Sequence, residues 1–249
     1  MKASIGPLPM YYETYGSGRP LLLLHGAGST VQTTFGAILP ALAEHHRVIA
    51  PEQQAHGHTP AIDRPLTFEQ EADDTAALLE RLGVDNVDVI GFSNGGIVAM
   101  QLAMRHPRLV HKLVVCSSYY GHAGMPPQFW EGMGHATLAN MPPTLMRAFE
   151  AAQPDPAMRQ RMFEQQVALM QHFTDIPDAS LRAITAPALV LVGDHDVMSV
   201  EHATSLAHLL RAQLIVFPGA GHGTYLGSLD AGGGDPTAAR LAIETFLDQ

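Results

Sequence analysis

The short β-prone runs in this chain are apolar at consecutive positions, as in Leu21–Leu24, Leu189–Val192 and Leu214–Phe217. A strand with one wet face alternates apolar and polar residues. A run without a polar phase has to be covered on both faces, as in a parallel sheet between helical layers. Strands are expected at Met10–Tyr15, Leu21–His25, Arg47–Pro51, Val87–Phe92, Lys112–Ser118, Ala188–Val192 and Leu214–Phe217. The helices between them have readable ends. Thr67-Phe68-Glu69-Gln70 has the form of a capping box. Phe68, Ala72, Leu78, Leu79 and Leu82 then fall near one helical face, and Gly83 supplies the stop. Ser199 is placed to cap Val200–Arg211, and Pro107 to close the helix that starts near Asn94. Such alternation builds a mostly parallel α/β sheet with right-handed crossovers. Between Ser118 and Pro187 no strand is expected. That stretch is rich in Pro, Met and aromatic residues and reads as a helical insertion over one end of the sheet. The expected organisation is one domain: a core of 1–118 and 187–249 with an inserted helical segment at about 119–186.

Charge and composition exclude several classes of function. Lys plus Arg total 14 against 24 Asp plus Glu, a net charge of −10 without any basic run. Such a surface does not track phosphates, so no nucleic-acid partner is expected. Lys2 and Lys112 are the only lysines, which leaves no polybasic membrane patch. The apolar runs are strand-sized, and the first residues lack the core of a signal peptide. A soluble, cytoplasmic protein without a membrane partner is expected. The single cysteine, Cys116, rules out an internal disulfide framework and reads as inert core.

The chemistry concentrates at Gly91-Phe92-Ser93-Asn94-Gly95-Gly96. A G-x-S-x-G spacing alone is common by chance. Here it follows the run Val87–Ile90 and opens a helical pattern, the strand–turn–helix context of a nucleophile elbow. The plainer reading makes Ser93 a cap in an ordinary turn. A serine hydroxyl needs a base to become a nucleophile. With 14 histidines, closeness in sequence cannot choose one. His222 follows the last expected strand in Pro218-Gly219-Ala220-Gly221-His222-Gly223, past a carboxyl end, where α/β sheets bind ligands. The imidazole needs an acid, and the preceding strand ends in Gly193-Asp194-His195-Asp196. Asp196, deeper in the loop, is favoured, with Asp194 as the alternative. A tetrahedral oxyanion needs donors. The N–H of Asn94 and that of Ala27, in His25-Gly26-Ala27-Gly28-Ser29, are the candidates.

At this point the chain resembles the α/β-hydrolase superfamily, in its serine-nucleophile, esterase-like branch. The matching pieces are His25-Gly26 after a strand, Gly91–Gly96, Gly193–Asp196 and Gly221-His222, in the order Ser, Asp, His. Ala50–Thr59 is similar to the family's turn between a strand and the next helix. The resemblance implies an α/β-hydrolase fold in which a small helical cap, at 119–186, covers a Ser93–His222–Asp196 triad. It also implies departures. The family's first antiparallel strand is short or missing here, Glu52 replaces a customary Asp, and Asn94 stands where an apolar residue is common, so that its amide is a further group able to touch substrate. Serine rather than aspartate as nucleophile argues against the dehalogenase and epoxide hydrolase branches.

Other features take bland readings. His56-Gly57-His58 lacks a third ligand and reads as a turn, and His195 reads as a loop residue. The Met and aromatic content of the insertion reads as helix packing, and Arg147, Arg159 and Arg161 as solvated; an inward-facing one would favour a carboxylate-bearing substrate. The expected activity is hydrolysis of a small-molecule carboxylic ester, with no metal or organic cofactor. A lactone, a thioester or a carbon–carbon bond are alternatives for the same triad. A ligand receptor on the same scaffold is the alternative from another class.

Overall fold

The four consecutive leucines are divided between two cores. In the computed structural model, which describes residues 1–229 and 231–249, Leu21 and Leu23 enter one hydrophobic cluster and Leu22 and Leu24 another. All four are fully buried. This is the two-faced burial that an unbroken apolar run requires. The strands are β1 (Lys2–Ile5), β2 (Leu8–Tyr15), β3 (Arg19–Leu24), β4 (His46–Pro51), β5 (Val87–Phe92), β6 (Val110–Cys116), β7 (Ala188–Gly193) and β8 (Gln213–Phe217). They form one sheet in the order β1-β2-β4-β3-β5-β6-β7-β8. Pairing is parallel from β4 to β8 and antiparallel at β1–β2 and β2–β4.

Helices α1 (Val31–Phe35), α2 (Leu39–His45) and α10 (Thr237–Asp248) cover the face of Leu21, Leu23, Ile90 and Leu191. Helices α3 (Phe68–Arg81), α4 (Asn94–Arg105), α8 (Asp178–Arg182) and α9 (Val200–Leu210) cover the face of Leu22, Leu24, Val89 and Val190. Between β6 and β7 the described residues form α5 (Pro127–Met133), α6 (Pro143–Ala152), α7 (Pro156–Gln171), α8 and two 3-10 turns, without a strand. Phe149, Met162, Met170 and Phe173 from this stretch are buried in the α4-side core, so much of its Met and aromatic content is helix packing. Among the described residues no helix is long and apolar enough to cross a membrane.

Some local expectations change. The first strand is short but present: β1 pairs with β2 around Gly6, whose φ of +53° a glycine adopts freely. Ala3, Ile5, Leu8 and Met10 bury there against Leu78. The strand expected at Lys112–Ser118 instead ends at Cys116, because Ser117 turns to a positive φ. Thr67 does cap α3 through the Gln70 N–H, but the Gln70 amide turns to Asp74 at 3.0 Å, so the box is half formed. A full box occurs at Thr30, where Thr33 replaces the usual Glu or Gln. Ser199 caps α9 as expected.

Lys112 is buried, and its Nζ donates to Phe246 O at 3.1 Å and Leu247 O at 2.7 Å. An ammonium at the negative end of α10 ties that helix to β6. Lys112→Met is expected to cost about 2 kcal/mol, since the carbonyls would lose a charged donor. Urea denaturation reads the difference; an unchanged midpoint would contradict it.

Candidate active site

Ser93 occupies the corner between β5 and α4 with φ 53° and ψ −122°, a strained conformation for a non-glycine residue. The corner is pinned by Ser93 N–H to Cys116 O and by Gly96 N–H to Ser93 O, both at 2.9 Å. Two glycines make it possible. A Cβ on Gly91 would lie 2.3 Å from Gly95 O, and one on Gly95 would lie 2.1 Å from Leu24 O. Both obstacles are backbone and cannot swing aside. Sequence therefore dictates the elbow, and the elbow turns the Ser93 side chain out of the sheet at its carboxyl edge.

There Ser93 Oγ lies 3.1 Å from His222 Nε2, and His222 Nδ1 lies 2.8 Å from Asp196 Oδ1. An ionised carboxylate only accepts, so Nδ1 carries the proton and Nε2 is left as an acceptor facing the serine. Burial alone would raise the Asp196 carboxyl. The hydrogen bond and charge of His222, then the Ser117 hydroxyl and the Met198 N–H, outweigh it and hold the group below its ordinary value. Asp194 turns away: its Oδ1 accepts the Gly219 N–H at 2.6 Å. The structure thus brings Ser93, His222 and Asp196 together and leaves Asp194 outside.

The loop after β3 abuts the serine. A Cβ on Gly26 would stand 3.4 Å from Ser93 Cβ. His25 ties this loop down: its Nε2 accepts the Gln53 N–H at 3.1 Å, so its Nδ1–H donates to Gly26 O at 2.8 Å. Ala27 is exposed beyond it. Among the described residues nothing accepts from the Ala27 N–H or from the Asn94 N–H at the start of α4. The Asn94 side chain is occupied: its Nδ2 donates to Met170 Sδ at 3.3 Å and its Oδ1 accepts from Tyr119 at 3.2 Å.

Helices between β6 and β7 overlie the same loop. A Cβ on Gly28 would come within 3.0 Å of Met141 Cε, 3.7 Å of Gln166 Oε1 and 3.8 Å of Leu145 Cδ1. Gln166 is moored by a short hydrogen bond from its Nε2 to Ala55 O.

The histidines of 56–58 separate. His56 is buried beside His25, and burial first, then the His25 charge, push its pKa down to about 3. It is neutral at any ordinary pH. His58 donates its N–H to Glu52 Oε2 at 2.6 Å, and Nδ1 lies 2.9 Å from the same oxygen. Glu52, which stands in place of a customary Asp, organises this turn. Among the described residues no group of three or more His, Cys, Asp or Glu is placed to hold a metal.

Size alone does not find this site. One cleft of about 700 Å³, lined by Asp73, Glu80, Arg105, His106 and Arg108, opens by the segments that precede β5 and β6, at the amino ends of the strands. The elbow lies at the opposite, carboxyl edge, where α/β sheets bind ligands. Sequence reasoning missed Ser117 and Tyr225, which stand behind Asp196. Neither belongs to a motif, and only the packing of β6 against β7 and the loop after β8 brings them there.

Comparison with known proteins agrees with this architecture. The curated 2-hydroxymuconate semialdehyde hydrolase of Pseudomonas sp. (strain CF600) is 28% identical over 241 residues, covering 85% of this chain and 83% of that one. Among solved structures, Est816, described as an N-acyl homoserine lactone degrading enzyme, is 25% identical with a TM-score of 0.77, covering 97% of this chain and 98% of that one. The meta-cleavage product hydrolase of Pseudomonas fluorescens IP01 shares the fold with a TM-score of 0.83 at 20% identity, covering 99% and 96%. The model of the alpha/beta hydrolase family matches residues 21–231. That match runs from within β3 past His222 and takes in every segment that meets at Ser93; the chain is a member of the alpha/beta hydrolase family.

Proposed function

We propose that this hydrolase cleaves a carboxylic ester of a small molecule by acyl transfer through Ser93. The observation that carries the reading is the hydrogen-bond chain Ser93 Oγ–His222 Nε2–Asp196, at 3.1 and 2.8 Å, built on a serine held at positive φ. His222 Nε2 takes the Ser93 proton as Oγ attacks the ester carbonyl, while Asp196 stabilises the imidazolium. The Ala27 and Asn94 N–H groups receive the oxyanion, each worth about 10²–10³ in rate when aimed at the tetrahedral oxygen. His222 returns the proton to the leaving alcohol. It then activates a water that releases the acid and restores Ser93. The helical segment at 119–186 acts as the cap, with Met141, Leu145 and Gln166 facing the oxyanion loop. Serine acyl transfer of this kind requires no metal or organic cofactor.

The same residues serve a second reading, hydrolysis of a lactone or of a carbon–carbon bond, which similarity to Est816 and to the 2-hydroxymuconate semialdehyde hydrolase supports. A muconate-like substrate carries a carboxylate and calls for a cation. The four arginines of the inserted segment are engaged elsewhere: Arg147 on Thr144, Arg159 on the Gln153 and Pro154 carbonyls, Arg161 near Asp63 and Arg182 on Asp178. A neutral ester therefore comes first.

Rapid mixing with p-nitrophenyl acetate and butyrate tests it. The expected result is a burst of about one nitrophenolate per chain followed by steady turnover, with the acyl mass recovered on the Ser93 peptide after acid quench. Folded protein that shows neither burst nor turnover with any ester, yet opens a lactone or cleaves a dienoate, would replace the first reading by the second.

A further inference from the structure

Asp196 is supported from behind by two hydroxyls that the acyl-transfer steps do not use. Ser117 Oγ lies 2.5 Å from Asp196 Oδ2 and 2.7 Å from Tyr225 Oη, and Tyr225 Oη lies 3.2 Å from Leu191 O. Counting protons sets the direction of every bond. The carboxylate only accepts, so Ser117 gives Asp196 its single proton. Ser117 then meets Tyr225 as an acceptor, and Tyr225 shares its proton between Ser117 Oγ and the Leu191 carbonyl. On the other carboxylate oxygen, His222 Nδ1–H donates at 2.8 Å and the Met198 N–H at 3.4 Å.

The backbone at Ser117 is arranged for this contact. Its φ is +46°, in the left-handed region that glycine favours, and its N–H is pinned to Leu191 O at 2.8 Å. Ser117 is buried, as are Tyr225 and the Asp196 side chain. Strain in a non-glycine residue persists where the surroundings over-determine it, commonly beside functional groups. No bulk water reaches Asp196 Oδ2 to replace a missing donor. Cys116 and Tyr225, the other titratable groups beside this network, are kept neutral by burial, so among the described residues His222 is the charge partner of Asp196.

We propose that Ser117, with its hydroxyl oriented by Tyr225, is a positioning residue that aims Asp196 at His222 and keeps it charged in a dry environment. The proposal rests on the catalytic reading of Ser93, His222 and Asp196.

Ser117→Gly separates the hydroxyl from the backbone strain, because glycine accepts the positive φ. The expected Ser117→Gly protein folds and is assayed with p-nitrophenyl butyrate, relief of the backbone strain offsetting part of the lost hydrogen bond. Its kcat is about tenfold lower, the size expected for a lost hydrogen bond to a charged group, with KM within about twofold. The acid limb of its pH–kcat/KM profile moves to higher pH, since the coupled Asp196–His222 pair with one donor fewer takes up a proton more readily. Tyr225→Phe moves kcat and the limb in the same direction by about a third as much. A purely structural role would leave the limb in place, whatever the melting temperature. Ser117→Gly with wild-type kcat and an unmoved limb, beside an inactive Ser93→Ala, overturns this proposal alone. Activity surviving in Ser93→Ala overturns the catalytic reading and this proposal with it.

Discussion

Ser93→Ala is expected to lower kcat/KM for p-nitrophenyl butyrate by about 10⁴-fold or more while leaving the fold and its melting temperature near wild type. The substitution keeps Cβ and leaves the packing around the elbow in place. It removes one oxygen, whose described partner is His222 Nε2 at 3.1 Å. The side chain is only half-buried, so no large cavity forms. Without Oγ no acyl-enzyme can form, and the burst should vanish together with turnover. Residual hydrolysis would come from water attacking an ester polarised by the oxyanion donors. Near-wild-type turnover in correctly folded Ser93→Ala would show that chemistry occurs elsewhere.

The second large effect separates two neighbouring carboxylates. Asp196→Asn is expected to lower kcat by about 10³–10⁴-fold, and Asp194→Asn by less than about threefold. An asparagine at 196 turns either an amide N–H₂ or a neutral oxygen toward His222 Nδ1. The first forces the wrong tautomer and costs Nε2 its lone pair toward Ser93; the second stabilises the imidazolium poorly. At 194 the loss is only of charge, because an amide oxygen can still accept the Gly219 N–H. Stability follows the same residue. The Asp196 carboxyl is held below its unfolded value. Its contribution is therefore complete above that value and is lost as pH falls through the lower, folded one. Asp196→Asn should flatten the acid side of the stability–pH curve. Equal losses of activity at 194 and 196 would dissolve the assignment.

Much of the fold was legible because burial writes itself into the chain at short range. Leu21–Leu24 announces two-sided burial residue by residue, and the clusters on the two faces divide those leucines accordingly. Gly91 and Gly95 are legible for a related reason: their freedom is needed where β5, α4 and β3 crowd within a few residues. β1 was harder, since four residues with Ala3 and Ile5 facing inward carry too little pattern. The half-formed box at Thr67 failed because a side-chain amide chooses among nearby acceptors, and Asp74 lay one turn away.

Within the site the boundary between the two kinds of information is sharp. The sequence by itself determined the elbow, the class of fold and the two loops from which a base and an acid would come, because strand–turn–helix patterns and glycine positions are local. Only the tertiary structure decided that Asp196 rather than Asp194 faces His222, that the Asn94 amide meets Tyr119 and Met170, and that Ser117 and Tyr225 stand behind the acid. Each of those contacts joins residues from separate elements of the fold, and a hydrogen bond's direction is set by the last ångström of packing, which no pattern along the chain encodes.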